Sequence, residues 1–452
     1  MKKGKVRYRL LSLALAVWML LAAAGCDRLP FQSSDAGSGG GGLDFVIPPG
    51  SEEPSQDRQK VSYTPRNFDE IQAVWISYIE LKTLLTGKNQ ADFTSCIRNA
   101  FQNAKELGLN TVVVHVRPYG DAVYQSSYFP WSSYAGSFGK SPGYDPLAVM
   151  LEEAHKLGLS FHAWINPYRA QTEEEAGQVA NSYPFSKWYH GAQKGKYVIN
   201  LSGRWYYNPG IEEVRQLIVA GVRELVRYYP VDGIHFDDYF YPTTDASFDA
   251  DAYQSYRQEG GTLELAAWRR ENVNALLRDC YLAIKKENPE VLFGISPQAN
   301  ISNNFNGQYA DVIRWCSTPG YLDYICPQIY YSFKSETTDF MKALSEWTEI
   351  AVQPSVRLCV GVAPYKLGKE DKWACTAANG GECSAPRDCG SKGWMVSEPE
   401  KSDILKRQYE EIRKNDRCSG IFFYSYNSLF LPDSSVKAQV DAECAKLKTV
   451  LR

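Results

Sequence analysis

From residue 71 onward, short apolar runs alternate with amphipathic stretches, and this alternation limits the fold more than any other feature. Strands separated by helices pair in parallel through right-handed crossovers. Eight such units predict a (β/α)8 barrel, a TIM barrel. An open doubly wound sheet is the alternative, but no glycine-rich phosphate loop follows the first run. The predicted strands are Ile71–Tyr78, Thr111–Arg117, Ser160–Asn166, Gly233–Asp237, Leu292–Gln298, Tyr324–Tyr330, Arg357–Ala363 and Gly420–Tyr426.

The stretches between the strands have apolar residues at helical spacing. Phe93–Leu107 has this spacing with Asp92 as its predicted N-cap, and Pro146–Leu157 ends at Gly158. Four more stretches follow the same rule, which supports the alternation of strand and helix. They are Ile211–Tyr229, Leu263–Lys286, Phe340–Ile350 and Ser402–Lys414.

Residues 231–242, Val-Asp-Gly-Ile-His-Phe-Asp-Asp-Tyr-Phe-Tyr-Pro, begin as a buried strand and end in acids and aromatics. Side chains alternate along a strand, so we expect His235, Asp237 and Tyr239 on one side and Asp238 on the other side or in the following turn. A barrel places its active site at the C-terminal ends of its strands. The segment therefore predicts a site centred on Asp237.

The other strands also end in amide, phenol, indole and guanidinium groups. Such polar groups hydrogen-bond polyhydroxylated rings, and Trp and Tyr faces pack on the C–H surfaces of sugars. Two assignments have an open alternative, since Arg169 could instead hold an Asp in place and His235 could be a structural histidine. The residues assigned to substrate binding are Trp75, Arg117, Tyr119, Asn166, Tyr168, Arg169, His235, Tyr239, Gln298, Gln328, Tyr330, Tyr365 and Tyr424.

Carboxylates at this rim point to hydrolysis of glycosidic bonds. That reaction needs one carboxylic acid to protonate the leaving oxygen and one carboxylate as nucleophile or base. Asp237 is the first candidate, and the second is open among Asp238, Glu80 and Asp121, so retention or inversion is open as well. The sequence contains no serine elbow, His-Glu-x-x-His motif or phosphate loop, which favours a hydrolase without metal or cofactor.

Three connections are long enough to form walls over the site. Residues 169–208 follow the third strand, and residues 243–262, with Asp245, Asp249 and Asp251, follow the fourth. These three Asp lack the spacing of a calcium loop, so we expect helix caps and solvated charges. In the third wall, residues 369–399, we expect disulfides rather than zinc, because no Cys-x-x-Cys pair or neighbouring His is present. Its cysteines are Cys375, Cys383 and Cys389.

The N-terminus has the features of an export signal. A basic region precedes the apolar run Leu10–Ala24, and Ala23-Ala24-Gly25-Cys26 resembles a bacterial lipobox. We expect lipidation of Cys26 to anchor the exported chain to the cell membrane, facing the cell wall or periplasm; an ordinary cleaved signal is the alternative. The composition of residues 27–62 predicts a flexible Gly/Ser/Pro linker, with the barrel at 63–452.

Composition limits the partners further. A formal net charge of -3 gives no electrostatic reason to expect nucleic acid. We expect a monomer that binds a polysaccharide. Outside the cytosol the cysteines other than Cys26 can form disulfides, but Cys326 and Cys359 lie in apolar strands and are expected to be small core residues.

Several motifs, in the correct order, resemble the glycosyl hydrolase-like family 10 domain. The resemblance covers roughly residues 65 to 440 and is specific, because the motifs are spread over most of the barrel. The motifs are Ala73-Val74-Trp75-Ile76-Ser77, Asn110-Thr111-Val112 leading to Arg117-Pro118, Ala163-Trp164-Ile165-Asn166-Pro167-Tyr168-Arg169, residues 233–242, Trp268-Arg269-Arg270-Glu271-Asn272-Val273 and Gly294-Ile295-Ser296-Pro297.

The resemblance implies an exported bacterial glycosidase acting on a β-linked amino-sugar polymer, such as peptidoglycan glycan strands without peptides. Residues 232–237 also parallel the fourth strand of α-amylase-like barrels, which implies the nucleophile position for Asp237. On the chitinase-like pattern the terminal acid would fall at Tyr239, which argues against substrate-assisted chemistry. Two alternatives stay open: a non-catalytic glycan-binding lipoprotein on the same barrel, and a hydrolase of another exopolysaccharide.

Overall fold

Eight parallel strands close into a barrel. The computed structural model describes residues 58–334, 338–369, 371 and 394–451. β1 pairs with both β2 and β11, which closes the ring and confirms the predicted (β/α)8 barrel. In order around the barrel, with numbers in chain order, the strands are β1 (Ile71–Ile76), β2 (Thr111–Arg117), β3 (Ser160–Ile165), β7 (Gly233–Phe236), β8 (Leu292–Ile295), β9 (Tyr324–Ile325), β10 (Arg357–Val362) and β11 (Cys418–Phe423).

The helices of the described residues surround this barrel or lie in its loops. An apolar face directs a helix toward the core. In α6, for example, this face buries Val214, Leu217, Val222 and Leu225. The helices are α1 (Tyr78–Leu85), α2 (Gln90–Leu107), α3 (Pro146–Lys156), α4 (Glu173–Ala176), α5 (Pro184–His190), α6 (Glu212–Tyr228), α7 (Ala250–Gln258), α8 (Leu265–Glu287), α9 (Ile301–Gly307), α10 (Val312–Ser317), α11 (Phe340–Ile350), α12 (Ile404–Arg413), α13 (Tyr426–Phe430) and α14 (Lys437–Leu447).

Alternate residues of the strands fill the barrel interior, as the period of a strand requires. Cys326 and Cys359 belong to this interior cluster, which confirms their prediction as small core residues. Both are free thiols, whereas Cys375, Cys383 and Cys389 lie outside the described residues. The other members of the cluster are Ile71, Ala73, Trp75, Val113, Trp164, Leu292, Tyr324 and Phe422.

Several element ends differ from the sequence expectation for local reasons. β8 and β9 stop at Ile295 and Ile325, before Pro297 and Pro327, which cannot donate to the strand ladder. α2 begins one turn earlier than predicted, because the side chain of Asn89 rather than Asp92 caps it and accepts from the backbone N–H of Asp92 at 3.0 Å.

The connection after β3 folds into a small antiparallel sheet that the sequence reading did not predict. It consists of β4 (Arg169–Thr172), β5 (Val198–Leu201) and β6 (Arg204–Tyr207), in the order β4-β6-β5. Arg169 pairs with Tyr206 and Thr172 with Arg204. This sheet is one wall of the site and brings β6 beside residues that follow β2.

The connection after β7 contains α7, and its acids have separate tasks. Asp249 forms a fully buried ion pair with Arg269 at 2.5 Å, so it is neither a solvated charge nor a side-chain helix cap. Asp245 accepts from the backbone N–H of Ser247 at 2.9 Å, in a local turn. Among the described residues no three His, Cys, Asp or Glu side chains come together as a metal site.

The barrel contacts begin before the predicted boundary at residue 63. Arg58 donates to the carbonyl of Gln125 at 2.9 Å, and Lys60 forms an ion pair with Glu287 at 3.0 Å. The predicted signal peptide, Cys26 and the linker up to residue 57 lie outside the described residues. No helix in the described part of the chain is both long and apolar enough to cross a bilayer.

Candidate active site

Asp237 follows directly after β7 and lies at the C-terminal end of the barrel. Its side chain is held from the neighbouring strand β3: Trp164 Nε1 donates to Oδ2 at 3.0 Å, and Asn166 Nδ2 lies 3.1 Å from Oδ1. The backbone N–H of Tyr239 donates to Oδ1 at 3.2 Å. These groups are donors, so they orient the carboxylate and favour its ionised form.

Burial acts in the opposite direction on the same carboxyl. Asp237 is only 3% exposed, and burial followed by the neighbouring charge of Asp238 raises its pKa to about 7, although Arg169 and the hydrogen bond from Trp164 oppose the rise. A carboxyl with this pKa can give up or accept a proton near neutral pH, which is the property of a catalytic acid or base.

Asp238 is held from the strands that follow β7 rather than from β3. Gln328, which follows β9, donates from Nε2 to Asp238 Oδ1 at 3.1 Å. Burial raises the pKa of Asp238, while hydrogen bonds from Gln328 and Gln298 lower it. Asp237 and Asp238 are therefore two differently supported carboxyls at one strand end, and each interacts with the other's charge.

Glu80, the other candidate in the sequence assignment, has a structural position. Ser77 donates to Oε2 from its backbone N–H at 2.7 Å and from Oγ at 2.8 Å, which completes a capping box at the start of α1. Ser425 Oγ and the backbone N–H of Asn427 donate to Oε1 at 2.6 and 2.7 Å. Because donors occupy both oxygens, Glu80 links the ends of β1 and β11 rather than facing a substrate.

Asp121, the remaining candidate, is enclosed. It is 1% exposed, and burial raises its pKa to about 7. The rise has the same main cause as for Asp237, but the groups that act on Asp121 are Ser132, Glu175 and Arg117, so it belongs to a separate cluster from Asp237 and Asp238.

Two residues assigned to substrate binding lie instead between the barrel and its helices. The pairing register shifts between His115 and Arg117, so the guanidinium of Arg117 leaves the interior and packs on Phe129 at 4.4 Å. Tyr168 is fully buried, and its hydroxyl has no hydrogen-bond partner among the described residues. Both side chains lie near the thiol of Cys280 on α8. The strand-end rule misplaced Arg117 because a bulge reverses the alternation, and it misplaced Tyr168 because β3 ends at Ile165, before that residue.

Trp75 and His235 form the floor of the site rather than its surface. Trp75 Nε1 donates to His235 Nε2 at 3.2 Å, which assigns the proton of His235 to Nδ1, beside Tyr324 Oη at 2.8 Å. Ser296 Oγ lies 2.9 Å from the same Nε2. Burial lowers the pKa of His235, so it is a neutral structural histidine and not a contact for sugar hydroxyls.

Four of the assigned tyrosines follow the C-terminal ends of barrel strands. Tyr330, Tyr365 and Tyr424 are half-buried and form one cluster, with ring centroids 5.8 to 6.0 Å apart. On the other side Tyr239 is 47% exposed beneath the guanidinium of Arg169, which lies 3.5 Å from its ring centroid. Tyrosine faces of this kind are suited to packing against the C–H surfaces of sugar rings.

Sequence reasoning missed several contributors to this site. Trp164 is recognisable at the end of the third strand, two residues before Asn166 and on the same side, but it was not assigned a role in the site. Tyr78 contacts Tyr119, which donates to its hydroxyl at 3.1 Å. Arg204 lies 4.3 Å from the ring of Tyr119, but it belongs to β6, which carries no signal of the site in its local sequence.

The family of this chain follows from its sequence. Residues 70–375 match the glycosyl hydrolase-like 10 family, which is more than half of the chain. The chain belongs to that family. The matched range contains every barrel strand except β11, and it includes Asp237, Asp238 and the residues that hold them.

Named relatives of this glycosyl hydrolase-like 10 chain are bacterial. Glycosyl hydrolase YngK of Bacillus subtilis is 34% identical over 323 residues, which are 66% of this chain and 61% of the relative. The chain thus spans less than two thirds of that protein. Glycosyl hydrolase DigH of Escherichia coli is 32% identical over 390 residues, 79% of this chain and 84% of the relative.

Among solved structures, the glycoside hydrolase domain of PgaB (BpsB) from Bordetella bronchiseptica aligns with 83% of this chain and 99% of its own. The sequence identity is 11% and the TM-score is 0.49.

Proposed function

We propose that this chain is a glycoside hydrolase that cleaves a cell-wall polysaccharide, with Asp237 as its central catalytic residue. One observation carries the proposal: the buried carboxyl of Asp237, held by Trp164 and Asn166, lies at the open end of the barrel and has a pKa of about 7. A carboxylate in a structural ion pair usually has a lowered pKa, whereas a raised pKa suits proton transfer. The relatives named glycosyl hydrolases support the same chemistry.

The reaction uses Asp237 and Asp238 as a pair. In glycoside hydrolysis one carboxyl protonates the leaving glycosidic oxygen, and the other, ionised, attacks the anomeric carbon or activates water. Repulsion between their charges makes it unfavourable for both carboxyls to be ionised at once. One of them therefore retains a proton near neutral pH. Arg169 limits this effect on Asp237 and keeps part of the population ionised.

A β-linked amino-sugar polymer is the substrate class that we favour, and peptidoglycan glycan strands without peptides are the first candidate. The tyrosine surfaces on both sides of the carboxyls support a chain of sugar rings rather than a small polar substrate. The lipobox-like Ala23-Ala24-Gly25-Cys26 supports the same substrate, because a lipid anchor would hold the enzyme beside the cell wall.

A substrate panel tests this proposal. The full chain is incubated with peptide-free peptidoglycan strands, intact peptidoglycan, β-linked N-acetylglucosamine oligomers and an unrelated α-glucan, and new reducing ends are counted. We expect shortened products from the peptide-free strands. Turnover of only the α-glucan, or binding to glycans with no new reducing ends, would contradict the proposal, and the latter would favour a glycan-binding lipoprotein.

A further inference from the structure

Two arginines flank one tyrosine in the wall of the cleft. The guanidinium carbon of Arg204 lies 4.3 Å from the ring centroid of Tyr119, and that of Arg169 lies 5.8 Å from it. Arg169 also lies over Tyr239 at 3.5 Å. Ring faces attract these cations, but they leave the N–H groups at the guanidinium edges without acceptors.

Neither guanidinium has an acidic partner within ion-pair distance in the described part of the chain. Other arginines of the same face do: Arg269 pairs with Asp249, and Arg314 pairs with Glu271 at 2.5 Å. In Arg204, Nη1 is shielded from solvent and finds no hydrogen-bond acceptor among the described residues. The charge of Asp237 stabilises the Arg169 cation, whereas a buried N–H of Arg204 without an acceptor costs stability unless a bound group accepts from it.

The fold places this pair next to the reacting carboxyls. The backbone N–H of Arg169 donates to Asn166 Oδ1 at 3.0 Å, and the same Asn166 holds Asp237. Arg204 begins β6 and pairs with Thr172 of β4, so the small sheet carries it to Tyr119. A sugar bound one ring away from Asp237 would therefore meet both guanidinium groups.

We propose that Tyr119, Arg169 and Arg204 form a subsite for the carboxylate of an acidic sugar. The proposal rests on the function proposed above and specifies which glycans the enzyme prefers. Arginine edges match a carboxylate in geometry and charge, and Tyr119 supplies a surface for the sugar ring. A neutral polymer would leave Arg204 without a counter-charge. The carboxylate belongs either to an ether-linked side chain of an amino sugar or to C6 of a uronate.

The selectivity follows from charge. When such a carboxylate is joined to a peptide through an amide bond, its negative charge is lost, and it no longer strengthens binding at the subsite. The enzyme would then distinguish glycans with free acids from otherwise identical glycans with amides. Arg204 is the residue that reveals this property, because Arg169 also influences Asp237 directly.

Binding to matched glycan pairs tests the subsite. The ligands are peptide-free peptidoglycan oligomers and β-linked N-acetylglucosamine–glucuronate oligomers, each with free carboxylates and after conversion of those carboxylates to primary amides. Affinities are measured by calorimetry with the full chain carrying Asp237→Asn, so that ligand is not consumed. We expect at least one free-acid glycan to bind about ten-fold more tightly than its amide. The pair that shows the difference identifies the source of the carboxylate.

Variants then test whether Arg204 causes the difference in affinity between free-acid and amide glycans. Arg204→Gln should remove most of the preference for the free acid, and Arg204→Lys should keep part of it. Lys194→Gln is the control, because Lys194 lies on the other side of the same sheet, over Tyr189 and Trp205, and should leave the preference unchanged. Thermal unfolding verifies that each variant is folded.

The possible results distinguish failure of the proposed subsite from failure of the proposed hydrolase function. Equal affinity for free acid and amide in both pairs, or no binding of any ligand, overturns the subsite. The same holds if Arg204→Gln weakens both members of a pair equally. Discrimination without cleavage by the unsubstituted chain would instead contradict the hydrolase proposal and leave the subsite standing.

Discussion

The indole Nε1 of Trp164 donates a hydrogen bond to Oδ2 of Asp237 at 3.0 Å, and this contact joins the ends of β3 and β7. Trp164 is itself fixed, because its ring stacks on His115 at a centroid distance of 3.8 Å and an angle of 7°. A rigid donor thus sets both the orientation of the carboxyl and part of its proton affinity.

Replacing Trp164 with Phe should shift the pH dependence of catalysis. The substitution keeps an aromatic ring over His115 but removes the donor to Asp237. Because that hydrogen bond lowers the pKa of Asp237, its loss should raise the pKa. We expect the limb of the pH profile that reports Asp237 to move to higher pH, and kcat/KM to fall about ten-fold at neutral pH. Steady-state kinetics from pH 4 to 9 measure both effects.

Trp315→Phe is the matched control for this change. Trp315 is also fully buried, and its Nε1 donates to Asn274 Oδ1 at 2.7 Å, away from the carboxyl pair. It should lose stability without any movement of the pH limb. An unchanged limb in Trp164→Phe would show that the indole does not tune Asp237.

Glu80→Gln should affect stability far more than turnover. The carboxylate of Glu80 accepts from Ser77, Ser425 and Asn427, and an amide would turn two donor hydrogens toward these donors. We expect a loss of about 1–3 kcal/mol in the free energy of unfolding, with kcat within a few-fold of the original. Urea denaturation and assays well below the melting temperature measure the two quantities. A thousand-fold loss of kcat at unchanged stability would return Glu80 to the catalytic residues.

The raised pKa of Asp237 predicts a pH-dependent effect on stability. Its carboxyl has a pKa of about 7 in the folded chain and an ordinary value of 3.8 when unfolded, so the folded state binds the proton more tightly. This contribution to stability is fully present below about pH 4 and is lost as the pH rises toward 7.

Asp237→Asn should remove this loss of stability at rising pH, because the amide does not ionise. Relative to the original chain, the variant should gain stability between pH 4 and pH 7, by on the order of a few kcal/mol. Urea denaturation across this range measures the difference, in which the titration of Asp121 cancels because both proteins retain it. A stability difference that stays constant with pH would contradict the raised pKa.

The membrane anchor has its own test. Cys26→Ser should move the chain from the membrane fraction to the soluble exported fraction, because a serine cannot carry the thioether-linked lipid. Detergent phase partitioning and cell fractionation with immunodetection measure the change. If the Cys26→Ser chain stays with the membrane, another segment holds it there.

Much of the scaffold could be predicted from the sequence because the barrel repeats one simple pattern. Each barrel strand was recognised from an apolar run, and the position of Asp237 followed from the rule that strand ends carry the site. Arg117 was misplaced because period-two alternation fails at the register shift after His115, and Tyr168 because it lies beyond the end of β3. Local backbone hydrogen bonding, which decides such shifts, leaves little trace in residue type.

Long-range contacts account for the other differences. Glu80 was assigned to catalysis because an acid beyond a strand end resembles a catalytic group, yet its partners include Ser425 and Asn427, more than three hundred residues away. Arg204 was overlooked because its role depends on how β4 and β6 pair. Both cases require knowledge of which loops meet, and periodicity does not contain it.

The most direct test of the central role of Asp237 is mass spectrometry of products formed in water enriched in oxygen-18. Peptide-free peptidoglycan strands are incubated with the original chain, Asp237→Asn and Asp238→Asn, each verified as folded by thermal unfolding. We expect the original chain to release shortened glycans with one oxygen-18 at each new reducing end, and Asp237→Asn to release at least a thousand-fold less. Equal product formation by Asp237→Asn would contradict the account and move the chemistry to another carboxyl.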